Sequence, residues 1–271
     1  MRIAVSELDV VRATTVDDAL HLRRDDRRTP LAGATDLYVE LNFGTLRHRR
    51  FVDLWRLAEL RQIGVVGDTL VIGALATWTS LIESPLVAER LPMLIDASRL
   101  VGGVQIQNRG TLGGNIANAS PAGDSLPVLA AVDAVLVLRS VDAERRVPIT
   151  EFYTGYRSTV LRADELIVAI EVARVDGPQV FRKVGTRSAL AISKVVMAGV
   201  RSAQPRIAFG SVAATVVRAR ETERALAAGA DVGDAIQILE REISPIDDLR
   251  STAAYRRLVA GNLLRRFWNS D

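Results

Sequence analysis

The apolar positions along this chain follow two periods, one helical and one of strict alternation, in an order that mixes helices and strands. TTVDDALHLRR (14–24) has the pattern of a short amphipathic helix with Thr15 or Thr14 as its cap. In TPLAGATDLYVELNFG (29–44), Pro30 to Ala32 read as a strand end, Gly33 as a tight connection and Asp36 to Leu41 as a helical turn. RRFVDLW (49–55) is strand-like, and DTLVIGALATWTSLI (68–82) predicts a strand, a turn at Gly73 and a helix start. From Glu89 to Val101, Leu91, Leu94, Ile95, Ala97 and Leu100 recur at helical spacing. LPVLAAVDAVLVLRS (126–140) predicts a short helix feeding a strand, VPITEFYTGYR (147–157) includes a loop, and DELIVAIEV (164–172) alternates as a strand does.

Gly177-Pro178 punctuates the chain and marks an expected domain boundary. Beyond it, QVFRKVG and RIAFGSVAATVV predict strands around a helix. ETERALAAG and STAAYRRLVAGNLLRRFW predict helices, the second with Tyr255, Leu258, Val259, Leu263, Leu264 and Phe267 on its apolar spacing. The pattern is α+β rather than a simple alternation of strand and helix.

Composition narrows the chemistry. The chain has 271 residues, 48% hydrophobic and 25% charged, which is the profile of a globular protein long enough for one large domain or two ordinary ones. No apolar run approaches ~18 residues, so no membrane span is expected. The start lacks a basic segment followed by an apolar run, so no signal peptide is expected and the location reads as cytoplasmic. Cysteine is absent, which excludes disulfides, thiolate zinc sites, iron–sulfur clusters and cysteine nucleophiles within this chain. Only two histidines occur, His21 and His48, far apart and read as surface or packing residues, so neither a histidine metal site nor a Ser-His-Asp triad is expected. The net charge of +3 with 5% aromatics gives no basic stripe with interleaved aromatics, and no nucleic acid is expected as a partner. Of the 35 basic residues only Lys183 and Lys194 are lysine, within twelve positions of each other. Chance can retain two lysines, and so can a need for a compact ammonium that a guanidinium fork cannot replace.

The stretch TLGGNIANASPAGDSLP (111–127) is poor material for a core. Its adjacent glycines let the backbone approach a ligand closely, and successive N–H groups in such a loop form a nest for phosphate. Asn115, Asn118 and Ser120 add neutral hydrogen-bonding groups, while an ionised Asp124 only accepts and so suits a hydroxyl. Gly33 to Asp36 repeats the logic upstream, and two such loops suit a ligand with two ends and a central pyrophosphate. A P-loop needs Lys where Asn115 stands, and Gly110, Gly113 and Gly114 do not make the GxGxxG fingerprint. On spacing alone an ordinary Gly/Asn/Pro loop stays open beside a dinucleotide held by some other fold.

Here the chain resembles a known family. TLGGNIANASPAGDSLP, preceded by QIQNRG, is similar to the signature of the flavin-binding subunit or domain of molybdenum hydroxylases, among them xanthine dehydrogenase, aerobic carbon monoxide dehydrogenase and related aldehyde and aromatic-acyl oxidoreductases. LAGATDL resembles that family's first flavin loop, FYTGYRSTVLRADELI the stretch before its second domain, and FRKVGTRSALAISKV and STAAYRRLVAGNLLRRF that second domain. The resemblance covers nearly the whole chain in the same order. It implies non-covalent FAD bound in a vanillyl-alcohol-oxidase (PCMH) type domain at 1–175, made of two α/β subdomains at about 1–55 and 56–175, followed by a C-terminal α+β domain at 178–271. Leu31, Ala32, Gly33, Ala34, Thr35, Asp36 and Leu37 would wrap the pyrophosphate. Thr111, Gly113, Gly114, Asn115 and Asn118 would follow the ribityl and phosphate region. Asp124 would hold a cofactor hydroxyl, Ile167 and Lys183 match further contacts, and Val101 matches a position aromatic in some relatives.

The resemblance also implies an electron-transfer flavoprotein subunit whose partners, a two-cluster [2Fe-2S] subunit and a large subunit with the molybdenum cofactor, lie on other chains. The acceptor would be NAD or another oxidant. FYTGYR and ASPAGDS lean toward the xanthine dehydrogenase branch, with a carbon monoxide or aldehyde dehydrogenase type as alternative. A self-sufficient flavin oxidoreductase would need an acid or base that the sequence does not offer. Two departures stand out: Ala34 where many relatives have glycine, and Gln107 where QIRN is common, which removes a cation near the loop. Lys183 is expected at the cofactor and Lys194 near the flavin loops, facing Asp36.

Overall fold

The computed structural model describes residues 4–269. Three parallel strands, Asp9–Arg12, Arg50–Asp53 and Thr29–Leu31 in that spatial order, form the first sheet, with helices Val16–Asp26 and Thr35–Phe43 as the crossovers. Thr15 caps the first helix by accepting from the Asp18 amide at 3.0 Å, as the Thr-x-x-Asp spacing predicts.

The second sheet is antiparallel and five-stranded, ordered Ile63–Val66, Thr69–Gly73, Leu166–Ala173, Val135–Arg139, Glu144–Pro148. The stretch expected as an exposed loop, 111–127, is largely helical: Leu112–Asn118 and Ser125–Ala131 each make two turns, and the second is buried throughout. Thr111 and the small side chains allow this, because a capped helix with almost no lateral bulk fits against the central strand Leu166–Ala173. VPITEFYTGYR resolves into a strand end, the short helix Ile149–Phe152 and the hairpin Tyr153–Gly155/Ser158–Thr159.

The third sheet holds Gln179–Val184, Val195–Val200, Arg206–Gly210 and Val217–Arg218, all antiparallel. This corrects the expectation of a helix between its outer strands. Val195–Val200 is a strand buried on both faces: Val196, Ala198 and Val200 join the core shared with the five-stranded sheet, while Val195 and Met197 face helices Arg220–Ala227, Val232–Glu242 and Ala253–Asn269. A doubly buried strand has no polar alternation to betray it. Asp133 gathers Arg218 at 2.7 Å and Arg206 and Arg220 at 3.5 Å across the junction with the third sheet. Such partly exposed pairs are worth about 0–1 kcal/mol each. Burial of Phe181, Val196, Val200 and Ala208 in the common core contributes more, about 1.5–3 kcal/mol for each large side chain.

Candidate functional site

Two chain segments face one another across a cavity of about 580 Å³, inside the range of small-molecule and cofactor sites. The first lip begins where strand Thr29–Leu31 ends. An ideal Cβ on Gly33 would lie 1.7 Å from the Arg109 carbonyl oxygen, so only glycine lets the two lips meet there. Ala34 follows with φ +63°, in the left-handed region that costs a non-glycine residue roughly 1–2 kcal/mol. It is also the N-cap of helix Thr35–Phe43, and its methyl caps nothing. The first-turn N–H groups of that helix therefore lack an intrahelical acceptor, and the helix dipole adds partial positive charge where Thr35, Asp36 and Leu37 line the cavity.

The second lip is built differently from the expected nest. The Leu112 amide donates to Ala76 O at 2.9 Å and the Gly113 amide to Ala74 O at 2.8 Å, while Thr111 Oγ1 accepts from the Gly114 amide at 3.1 Å. These amides are engaged, so free N–H donors for an anion reside on the first lip. The glycines serve proximity instead. A Cβ on Gly113 would press on Ala74 at 2.7 Å, and one on Gly114 would meet only Thr111 Oγ1, so its outer side is open. Asn115 Oδ1 accepts from Ser125 Oγ at 2.7 Å, which fixes its amide, and Tyr153 donates its hydroxyl to Ile116 O at 3.2 Å.

Leu31 to Leu37, Val101, Thr111, Gly113, Gly114, Asn115, Asn118 and Ile167 all line this one cavity. Asp124 and Lys183 do not. They form a buried ion pair, Nζ to Oδ2 at 2.6 Å with side chains 7% and 8% exposed, and Lys183 also donates to Leu100 O at 3.2 Å. Lys183 and Leu100 line a second, small pocket with Gly185 and Arg187 to Ala191, and the adjacent residue Val101 lines the large one. Burial pushes the Asp124 carboxyl up to about 6 against the pull of Lys183, and Asp124 Oδ1 is buried without a partner.

The remaining expectations fare unevenly. Lys194 does not face Asp36: its Nζ sits 5.1 Å over the Tyr255 ring, and the charge that acts on Asp36 is Arg157. The cation absent at Gln107 is supplied two residues on, where the Arg109 guanidinium stacks 3.7 Å over Trp55 and its Nε reaches Gly33 O at 3.4 Å. His48 joins the cavity rim, and Arg23, Trp78, Ile106, Leu161 and Glu165 are further lining residues. Leu161 and Glu165 lie inside the RSTVLRADELI motif and could have been taken from it, whereas Arg23 carries no local signal. Glu165 is held below the usual carboxylate range by the Arg145 fork, at 2.6 and 2.8 Å, and the Arg162 amide.

The residues fit a large dinucleotide. An uncapped helix start offers donors to a diphosphate, and glycine leaves room at the opposite lip. Among the described residues no cluster of His, Asp and Glu could hold a metal ion, and no helix is long and apolar enough to cross a membrane.

Residues 6–174 match the family model described as the FAD binding domain in molybdopterin dehydrogenase, and residues 179–270 match the CO dehydrogenase flavoprotein C-terminal domain. The carbon monoxide dehydrogenase medium chain of Hydrogenophaga pseudoflava is 34% identical over 89% of this chain and 88% of its own length. The putative xanthine dehydrogenase FAD-binding subunit of Escherichia coli is 35% identical over 79% of this chain and 77% of its own. The solved carbon monoxide dehydrogenase from H. pseudoflava lacking the Mo-pyranopterin moiety of its cofactor superposes with a TM-score of 0.89 at 31% identity, covering 96% of this chain and 95% of that one.

Proposed function

Because the chain belongs to the family that carries the FAD-binding domain of molybdopterin dehydrogenases, we propose that it is the FAD-bearing electron-transfer subunit of a heteromeric molybdenum hydroxylase. The observation that carries this reading is the cavity between the Gly33–Leu37 and Thr111–Asn118 lips, with fourteen of the sixteen family positions on its wall. Bound FAD supplies the one- and two-electron chemistry. The chain's own residues bind and orient. The helix start at Thr35 would hold the diphosphate, Gly114 would leave room for it, and Ile167 and Val101 would contact the cofactor from the cavity wall. Asp124, paired with Lys183 behind the cavity, would accept from a cofactor hydroxyl.

The partners in this reading are an iron–sulfur subunit and a molybdenum-binding large subunit, since a chain without cysteine cannot supply thiolates to a cluster. Electrons leave to NAD or another acceptor, and the assembly works in the cytoplasm. FYTGYR and ASPAGDS favour the xanthine dehydrogenase branch within the family.

The test is purification of the chain alone and with its partners. The chain alone should bind FAD, one per chain, and show no turnover of purines, aldehydes or carbon monoxide. With its partners it should be reduced by the complex's substrate. A chain that binds no FAD overturns the reading, and robust oxidation by the molybdenum-free chain favours a self-sufficient oxidoreductase.

A further inference from the structure

Arg157 sits at the tip of the hairpin Tyr153–Thr159, outside every residue set discussed for the cofactor. The hairpin is tied to the second lip at its base, where Tyr153 donates to Ile116 O at 3.2 Å, and it is closed by the Thr154–Ser158 hydroxyl contact at 2.8 Å. From that base Arg157 reaches back to the cavity and donates Nη1 to Asn118 Oδ1 at 3.0 Å. Its charge also acts on Asp36, an exposed wall residue of the first lip, where desolvation is the larger influence. A third element thus places a guanidinium against Asn118 of the second lip.

The electrostatics make this placement informative. Asp36 and Glu40, on the first lip's helix, put two carboxylates on the same wall as the helix start that receives a diphosphate. Two carboxylates beside two phosphate charges repel, and helix-end partial charge offsets only part of that. Arg157 makes no ion pair among the described residues, and its hydrogen-bond partner there is a neutral amide. A guanidinium so placed keeps its charge and its remaining donors for an anion, in the planar fork that matches phosphate oxygens.

We propose that Arg157 is a cofactor-binding residue, a cation held at Asn118 that pairs with the pyrophosphate of the dinucleotide. This rests on the FAD reading above but adds a contact that reading does not require. The cofactor contributes the phosphate oxygens, and no bond is made or broken.

The experiment uses the full chain stripped of flavin, titrated with FAD by fluorescence at low and high salt, in wild type, Arg157→Met and Arg157→Lys. Thermal melts of the stripped proteins check that each folds. Arg157→Met should weaken FAD binding about ten- to a hundredfold, the loss expected of a charge-assisted hydrogen bond, and should flatten its salt dependence. Arg157→Lys should keep the salt dependence and most of the affinity. Unchanged FAD affinity in Arg157→Met overturns the proposal, as does a lysine variant as weak as the methionine one, or a salt dependence that survives loss of the charge. Failure of the wild-type chain to bind FAD would instead strike the functional reading.

Discussion

Asp124 gives the sharpest test of the proposed site, because in that reading its proton and a cofactor donor would compete for the same carboxylate. The carboxyl is 7% exposed, its Oδ2 is taken by Lys183, and its Oδ1 has no partner. With the carboxyl raised from 3.8 to about 6 by burial, the cofactor-free folded chain holds this proton more tightly than the unfolded chain. Its contribution to stability is therefore fully present below about pH 4, declines as pH rises toward 6, and is lost above that. The cost of keeping the anion buried at neutral pH is about 3 kcal/mol. A donor from the cofactor placed on Oδ1 favours the ionised form, so FAD should bind the ionised chain.

The magnitude follows from the titration. At pH 5 only about a tenth of the molecules carry the ionised carboxylate, so the apparent affinity for FAD should be about tenfold weaker than at pH 7.5. Asp124→Asn keeps the shape and removes the titration. It should bind FAD about ten- to a hundredfold more weakly at pH 7.5, and with no pH step near 6. The assay is a fluorescence titration of the stripped chain at both pH values, with far-ultraviolet circular dichroism to confirm folding. Equal affinities for wild type at pH 5 and 7.5 would refute the reasoning. So would a pH step of the same size in Asp124→Asn, since the titrating group would then be another one.

Three further outcomes are expected. Gly33→Ala forces a Cβ against the Arg109 carbonyl oxygen and should part the lips, with a stability loss of about 1–3 kcal/mol in a thermal melt and weakened FAD retention on dialysis. Ala34→Gly relieves the left-handed strain and should be neutral or raise stability by up to about 1 kcal/mol, whereas Ala34→Val should lower it, as urea titration would show. Acid precipitation should release all yellow colour to the supernatant, because no cysteine exists and neither histidine lies in an attachment motif; flavin left in the pellet would contradict non-covalent binding.

The sequence was legible where local chemistry decides structure. Thr15 and its helix, the strand–turn at Leu31–Gly33 and the strand Leu166–Ala173 follow from capping, glycine and alternation. It misled where tertiary burial decides. Val195–Val200 carries no period because both its faces are covered, and the glycine- and proline-rich stretch folds into helices because its smallness is used for packing against Ala74 rather than for mobility. Of the site, the two lips were visible because glycine and asparagine concentrate there. Arg23 and Trp78 were not, since an ordinary helix and an ordinary core position bring them to the cavity from elsewhere.

The two lysines show how far a residue count can carry. A buried ammonium with one carboxylate and one carbonyl as partners, as at Lys183, has three donors to satisfy; a guanidinium there would bring five in a rigid plane, and a pocket of about 50 Å³ has little room for the fork. At Lys183 the geometry thus favours a compact cation. Lys194 has no such demand, because above the face of Tyr255 a planar guanidinium stacks at least as well as an ammonium. The structure thus offers a reason for a compact cation at one position and none at the other. What separates them is the buried carboxylate at Asp124, fifty-nine residues away in sequence and 2.6 Å away in space.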